Sequence, residues 1–134
     1  FNATATFFIF PNAIGHKNWM TWDQIRELAT SEMTIGSHSK SHPYLHKMTD
    51  ETEITKEIVG SKQIIEAQIG KEVSLFAYPF GEYTKSLAWL IRSSGYKAAR
   101  TFASGIYQTG DDLFAIKSIA ATDNLDRFKR NFSN

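Results

Sequence analysis

Short β-rich runs alternate along this sequence with stretches of helical periodicity, and that alternation constrains the fold more than any other feature. Residues 3–10 (ATATFFIF) are apolar almost throughout, which is typical of a strand buried on both faces. By contrast, Ile54, Ile58, Ile65 and Ile69 recur at helical spacing. Strands that alternate with helices predict right-handed crossovers and a largely parallel sheet. The pattern leaves open whether the sheet closes into a barrel.

The predicted element order is β-α-β-α-β-α-β-loop-β-α, within one α/β domain that spans residues 1–134. We predict strands over residues 3–10, 33–37, 73–78, 96–99 and 113–120, a loop over residues 104–112, and a last helix over residues 124–132. Capping-box spacing, Thr21 with Gln24 and Asp50 with Glu53, begins two of the other helices. Because the chain opens inside an apparent strand, we expect it to be part of a longer protein.

Composition excludes several classes of function. The net charge is +1, so no basic field indicates a nucleic-acid partner or an anionic membrane. The absence of cysteine excludes disulfides and thiolate metal ligands. No apolar run approaches the length of a transmembrane segment.

Two histidines follow the second predicted strand, in residues 34–43 (TIGSHSKSHP). His38 and His42 are spaced i and i+4 on a serine-rich turn, where ligand sites of α/β folds form. Imidazole is the commonest neutral metal ligand, and two of them with one carboxylate leave an open position on zinc. The spacing alone is equally compatible with two solvated side chains. We interpret His16 as a solvated loop residue and His46 as exposed rather than as a ligand.

Three segments resemble one known family. Residues 5–8 (ATFF), 36–43 (GSHSKSHP) and 76–81 (FAYPFG) resemble the polysaccharide deacetylases, the NodB-homology group or carbohydrate esterase family 4. Residues 94–99 (SGYKAA) also lie where that family has an Ala-Gly-Tyr segment. The resemblance covers nearly the whole chain in order, and the combination is specific although each piece alone is weak.

The resemblance implies a fold and an activity. The family fold is a deformed (β/α) barrel, here a partial domain whose first strand is apparently missing. The family hydrolyses N-acetyl groups, usually on N-acetylglucosamine polymers, and some members remove O-acetyl groups from xylan. It implies Zn²⁺ or another divalent transition metal, a polysaccharide or oligosaccharide partner, and a location outside the cell or in the cell envelope.

The same resemblance implies roles for individual residues. His38 and His42 match the two metal-binding histidines of the family. The backbone N–H of Phe80 matches the donor that stabilises the tetrahedral oxyanion, a role in which fixed donors contribute several kcal/mol.

The third family motif implies a saccharide-binding groove. Pro79, Phe80 and Gly81 match the segment that forms one wall of this groove. Tyr78 and Tyr83 flank the segment, and we expect their rings to stack on sugar.

The chain departs from the family pattern at three places. The first motif, Thr-Phe-Asp-Asp, which supplies the catalytic base and the third metal ligand, is not present upstream of residues 5–8. The first acidic residue, Asp23, lies in a predicted helix and is a poor substitute. Ala77 replaces an arginine that orients the base, as in the branch that resembles poly-β-1,6-N-acetylglucosamine deacetylases. The Leu-x-His motif of the general acid is not visible, and we interpret residues 123–126 (DNLD) as a helix cap.

Three hypotheses follow. In the first, the whole protein is a metal-dependent deacetylase. In the second, the missing Asp pair indicates a catalytically inactive fragment or a saccharide-binding domain. In the third, the chain is a small α/β binding module whose histidines are incidental, and it shows no metal-dependent change in stability.

Overall fold

The computed structural model describes residues 4–105 and 113–119, together with Asn124, Asp126 and Lys129. In this part of the chain, five parallel strands form one sheet in sequence order. The strands are β1 Thr6–Ile9, β2 Thr34–Ser37, β3 Leu75–Ala77, β4 Ala98–Ser104 and β5 Ile116–Ser118. The helices are α1 Trp22–Thr30, α2 Glu51–Ile69 and α3 Lys85–Ser93. The predicted α/β class and parallel sheet are confirmed.

Local capping signals begin the helices where the sequence predicts. Thr21 caps α1 reciprocally with Gln24, whose side-chain oxygen accepts from the Thr21 N–H at 2.8 Å. Asp50 caps α2, where its carboxylate accepts from the backbone N–H groups of Thr52 and Glu53. The predicted reciprocal half of this second box is wrong, because the Glu53 side chain binds Lys56 at 2.7 Å instead.

Strand β4 is longer than the predicted strand over residues 96–99 and starts later. Tyr96 lies in the core, where its hydroxyl donates to the Ile58 carbonyl at 3.0 Å. Beyond residue 99, the strand is held by β3 on one side and β5 on the other, with Arg100 paired to Ile116 and Ser104 to Ser118. The strand predicted over residues 113–120 is shorter in the structure, where β5 spans only Ile116–Ser118. The predicted helix over residues 124–132 lies outside the described residues, apart from three isolated positions.

The core lies between the sheet and its helices. Fully buried apolar side chains of the core include Ile25 of α1, Ile58 and Ile65 of α2, Phe76 of β3 and Ile91 of α3. The predicted apolar stripe of α2 therefore packs as expected, with its outer members only partly buried. None of the described helices is long and apolar enough to cross a membrane.

Gly36 in β2 is fixed by a close approach across the sheet. A Cβ at this position would lie 2.5 Å from Cδ1 of the Phe8 ring and 3.2 Å from the Leu75 carbonyl oxygen. Only glycine lets Phe8 lie over β2 without displacing a neighbour. The strand can then continue regularly to Ser37 and the histidine turn.

Candidate active site

Strand β2 places His38 at the carboxyl end of the sheet. The His38 N–H donates to the Ile9 carbonyl at 2.8 Å, which extends the pairing with β1 past the last strand residue. Its ring Nδ1 lies 2.7 Å from the carbonyl oxygen of Ala77, the last residue of β3. Because a carbonyl only accepts, Nδ1 carries the proton and Nε2 of the neutral ring presents its lone pair.

The turn after β2 brings the second histidine back onto the first. Nε2 of His42 lies 3.1 Å from Nε2 of His38, and the two rings are inclined by 73°. Two nitrogen ligands about 2.0–2.1 Å from one tetrahedral zinc ion lie roughly 3.3 Å apart. The 3.1 Å separation is that of a hydrogen bond between the two rings, and it is also compatible with two ligands of one ion.

Burial keeps His38 in the form that binds a metal. Desolvation is the largest cause that lowers the pKa of His38 below its usual value. The hydrogen bond to Ala77 opposes this shift, whereas His42 and the Arg100 guanidinium lower the pKa further. The imidazole therefore stays neutral to lower pH than a solvated histidine does.

Three non-glycine residues with left-handed backbone converge at this point. Ser39, His42 and Phe80 have φ values of 65°, 62° and 59°. Such residues are uncommon and cluster at functional sites. The buried Ser39 hydroxyl accepts from the His42 N–H at 3.0 Å, and the Phe80 ring packs edge-on against His42 with 4.6 Å between ring centroids.

The third motif forms a tight turn, Pro79–Gly81, directly after β3. Gly81 has a φ of 71°, and a Cβ there would lie 2.5 Å from the Phe102 backbone nitrogen. This contact fixes the turn against β4. Phe80, which the resemblance expects to supply an oxyanion donor, lies in this turn, and its ring contacts His42.

Two of the expected groove residues do not line a groove with their side chains. Tyr78 is 1% exposed, and its hydroxyl donates to the Phe114 carbonyl at 2.9 Å, so the prediction that its ring stacks on sugar is wrong. The Pro79 side chain is also fully buried. Both follow directly after β3, the middle strand of the sheet, and are buried there. Phe80 and Tyr83 are 36% and 38% exposed.

The other two histidines, His16 and His46, differ in exposure. His16 is exposed, as predicted. The prediction that His46 is exposed is wrong, because its side chain is 17% exposed and its Nε2 lies 2.7 Å from a carboxylate oxygen of Glu82. This contact ties the segment after the histidine turn to the segment after the third motif. The stacked rings of Tyr44 and Phe80, 3.8 Å apart, join the same two segments.

The sequence did not indicate the residues that hold the histidine turn. Glu57 of α2 accepts hydrogen bonds from Lys40 and Ser41, and Ser61, one turn further along α2, bonds Ser37. The available signal was Ser61, a polar residue within an apolar helical stripe.

Within the described ranges, no group of three His, Cys, Asp or Glu side chains is placed to hold a metal. Asp23 pairs with Arg26 on the surface of α1.

Fold and site together define a parallel α/β domain with convergent imidazoles at the carboxyl ends of its strands. The model of the polysaccharide deacetylase family matches residues 1–99. The chain belongs to this family, and the resemblance found in the sequence is confirmed.

Relatives and solved structures agree with this assignment. YxkH of Bacillus subtilis (strain 168), which has a provisional polysaccharide deacetylase name, is 24% identical over 90% of this chain and 43% of its own length. The deacetylase PplD of Streptococcus pyogenes, solved with acetate, superposes with a TM-score of 0.89 at 22% identity, over 98% of this chain and 60% of that chain. The chain thus spans less than two thirds of either relative.

The same fold also occurs in a pseudoenzyme. BA3943 of Bacillus anthracis, described as a CE4 family pseudoenzyme, has a TM-score of 0.58 in its wild-type form, at 19% identity over 73% of this chain and 33% of that chain. The fold alone therefore does not separate a deacetylase from an inactive relative.

Proposed function

We propose that the whole protein hydrolyses N-acetyl groups on a polysaccharide of the N-acetylglucosamine type and releases acetate. The observation that carries the proposal is the 3.1 Å approach of the His38 and His42 Nε2 atoms, with the Phe80 ring packed against His42. O-acetyl groups are the second substrate class that the same chemistry admits.

The histidine pair fits Zn²⁺ or another divalent transition metal. His38 is buried, its tautomer is fixed by the Ala77 carbonyl, and its Nε2 faces that of His42. Both residues would hold the ion, with a further ligand from outside the described residues. When bound, the ion supplies a Lewis acid that stabilises negative charge developing on oxygen.

The chain's own residues orient the reaction. Hydrolysis adds water across the amide, breaks the C–N bond, and leaves acetate and a free amine. The Ala77 carbonyl holds the His38 ring in place, and the Phe80 N–H is the donor proposed for the oxyanion. Phe80 and Tyr83 are partly exposed, although Tyr44 stacks on the Phe80 ring and Tyr78 on the Tyr83 ring. The ring surface left open supports an oligosaccharide partner. A location outside the cell or in its envelope is proposed from the family resemblance alone.

A non-catalytic saccharide-binding domain is the second candidate. It is favoured by the lack of a third acidic ligand near the histidines in the described part of the chain. Binding would then need the exposed aromatic rings but neither the metal nor the histidines.

Acetate release from N-acetylglucosamine oligomers by the whole, metal-loaded protein tests the proposal. We expect release that stops with a chelator and with His42→Ala, and that persists with His16→Ala, which changes an exposed histidine away from the pair. Oligomer binding without any acetate release would overturn the proposed hydrolase and favour the second candidate.

A further inference from the structure

One carboxylate from α2 lies against the turn that carries both histidines. Oε2 of Glu57 accepts from the Lys40 N–H at 2.9 Å and from the Ser41 N–H at 2.8 Å. Its other oxygen, Oε1, accepts from the Ser41 hydroxyl at 2.6 Å. Lys40 and Ser41 are two of the three residues between His38 and His42, so Glu57 grips the middle of the turn.

These bonds are of the strong kind. Successive backbone N–H groups in a turn with left-handed residues form a concavity that binds anions, and here the Glu57 carboxylate occupies it. Hydrogen bonds to an ionised acceptor are about twice as strong as neutral ones. They offset the backbone strain of holding Ser39 and His42 at positive φ.

The rest of the turn is held from both sides. The Lys40 carbonyl accepts from the Asn12 N–H at 3.1 Å, in the short turn after β1. Ser61, four residues after Glu57 on the same face of α2, meets Ser37 directly before the turn. Helix α2 therefore fixes where the turn begins and how its backbone is directed, while Glu57 alone among these contacts carries a charge.

We propose that Glu57 is a positioning residue whose carboxylate holds the turn so that His38 and His42 converge on one cation. It touches neither the cation nor the substrate. The proposal rests on the proposed function for the identity of the cation, but the hydrogen bonds from the turn to Glu57 do not depend on it.

Glu57→Gln removes the charge and keeps an acceptor oxygen, and Glu53→Gln is a matched control one turn earlier on α2, in a surface pair with Lys56. We expect zinc affinity, measured by calorimetry, to fall about 10–100-fold in Glu57→Gln, as when groups that orient metal ligands are removed. At saturating Co²⁺, its d–d absorption should change shape, which a mere loss of folded protein does not cause. Equal affinity and an unchanged spectrum would overturn the proposal.

A metal-free arm separates this proposal from the proposed function. We expect the Lys40 and Ser41 amides to exchange hydrogen at least about tenfold faster in Glu57→Gln than in Glu53→Gln. If no variant or wild-type protein binds zinc, the metal site fails while faster exchange still supports the grip of Glu57. Unchanged exchange of both amides would overturn the role of Glu57, whatever the metal result.

Discussion

The side chains of Ser37 and Ser61 meet inside the fold, with 2.7 Å between their hydroxyl oxygens. Neither residue has exposed surface. Because Ser61 donates to the Ile58 carbonyl at 2.8 Å, its single proton is used there, and Ser37 must be the donor to Ser61. Tyr96 donates to the same carbonyl, so a closed buried network joins β2 to α2 immediately before His38.

Breaking this network should destabilise the protein. Ser61→Ala leaves the buried Ser37 hydroxyl without its acceptor, so we expect about 1–3 kcal/mol less free energy of unfolding in urea. Ser37→Ala removes the other partner, and the double variant should cost less than the sum of the two single variants. Strictly additive losses would contradict a direct bond between the two hydroxyls.

The close approach of Phe8 to Gly36 gives a second prediction. Gly36→Ala should lower the free energy of unfolding by about 1–3 kcal/mol, because the added methyl overlaps the Phe8 ring. In a Phe8→Ala background the overlap is gone, so the same glycine substitution should cost clearly less. A cost that is the same in both backgrounds, by urea denaturation, would show that the ring is not the obstacle.

Local signals in the sequence account for most of the fold. Helix starts at Thr21 and Asp50, and the apolar stripe of α2, depend on residues three or four apart, so the sequence predicts them well. Strand β4 was underestimated because its extension to Ser104 depends on pairing with β5, a contact that no local pattern encodes.

In the candidate site too, short-range features were predictable from the sequence and long-range contacts were not. The turn motif carries His38 and His42 together, so their approach follows from short-range spacing. The burial of Tyr78 and the partner of His46 depend on Phe114 and Glu82, both more than thirty residues away in sequence. Such long-range contacts are fixed by the assembled fold, which is also why Glu57 was not found.

The two tyrosines that flank the third motif should behave differently. Tyr83→Ala should weaken binding of N-acetylglucosamine oligomers at least several-fold, because the exposed ring offers a face to the sugar. Tyr78→Phe should leave that affinity unchanged and lower stability by about 0.5–1.5 kcal/mol, since it removes the bond to the Phe114 carbonyl. Calorimetric titration with the oligomer measures the affinities, and thermal unfolding measures the stabilities. Weaker oligomer binding by Tyr78→Phe would contradict its buried position.

The lowered pKa of His38 predicts a pH dependence of stability in the metal-free protein. Below the ordinary value of 6.5, the unfolded chain binds a proton at this residue that the folded chain does not. The free energy of unfolding should therefore fall as the pH drops through 6.5 and should stop falling from this cause below the lowered folded pKa.

Urea denaturation at several pH values checks this dependence. His38→Gln should show a shallower loss than wild type between neutral and mildly acidic pH, whereas His16→Gln should keep the wild-type slope. Parallel curves for His38→Gln and wild type would show that His38 carries the same proton affinity in both states.

The central claim is that His38 and His42 together bind a divalent metal. Calorimetric titration of Zn²⁺ into the metal-stripped whole protein tests it most directly, with His38→Ala, His42→Ala and His16→Ala beside the wild type. We predict one saturable site that is lost in the first two variants and kept in the third. Zinc binding of wild-type strength in His38→Ala or His42→Ala, or no binding by the wild type, would contradict the claim.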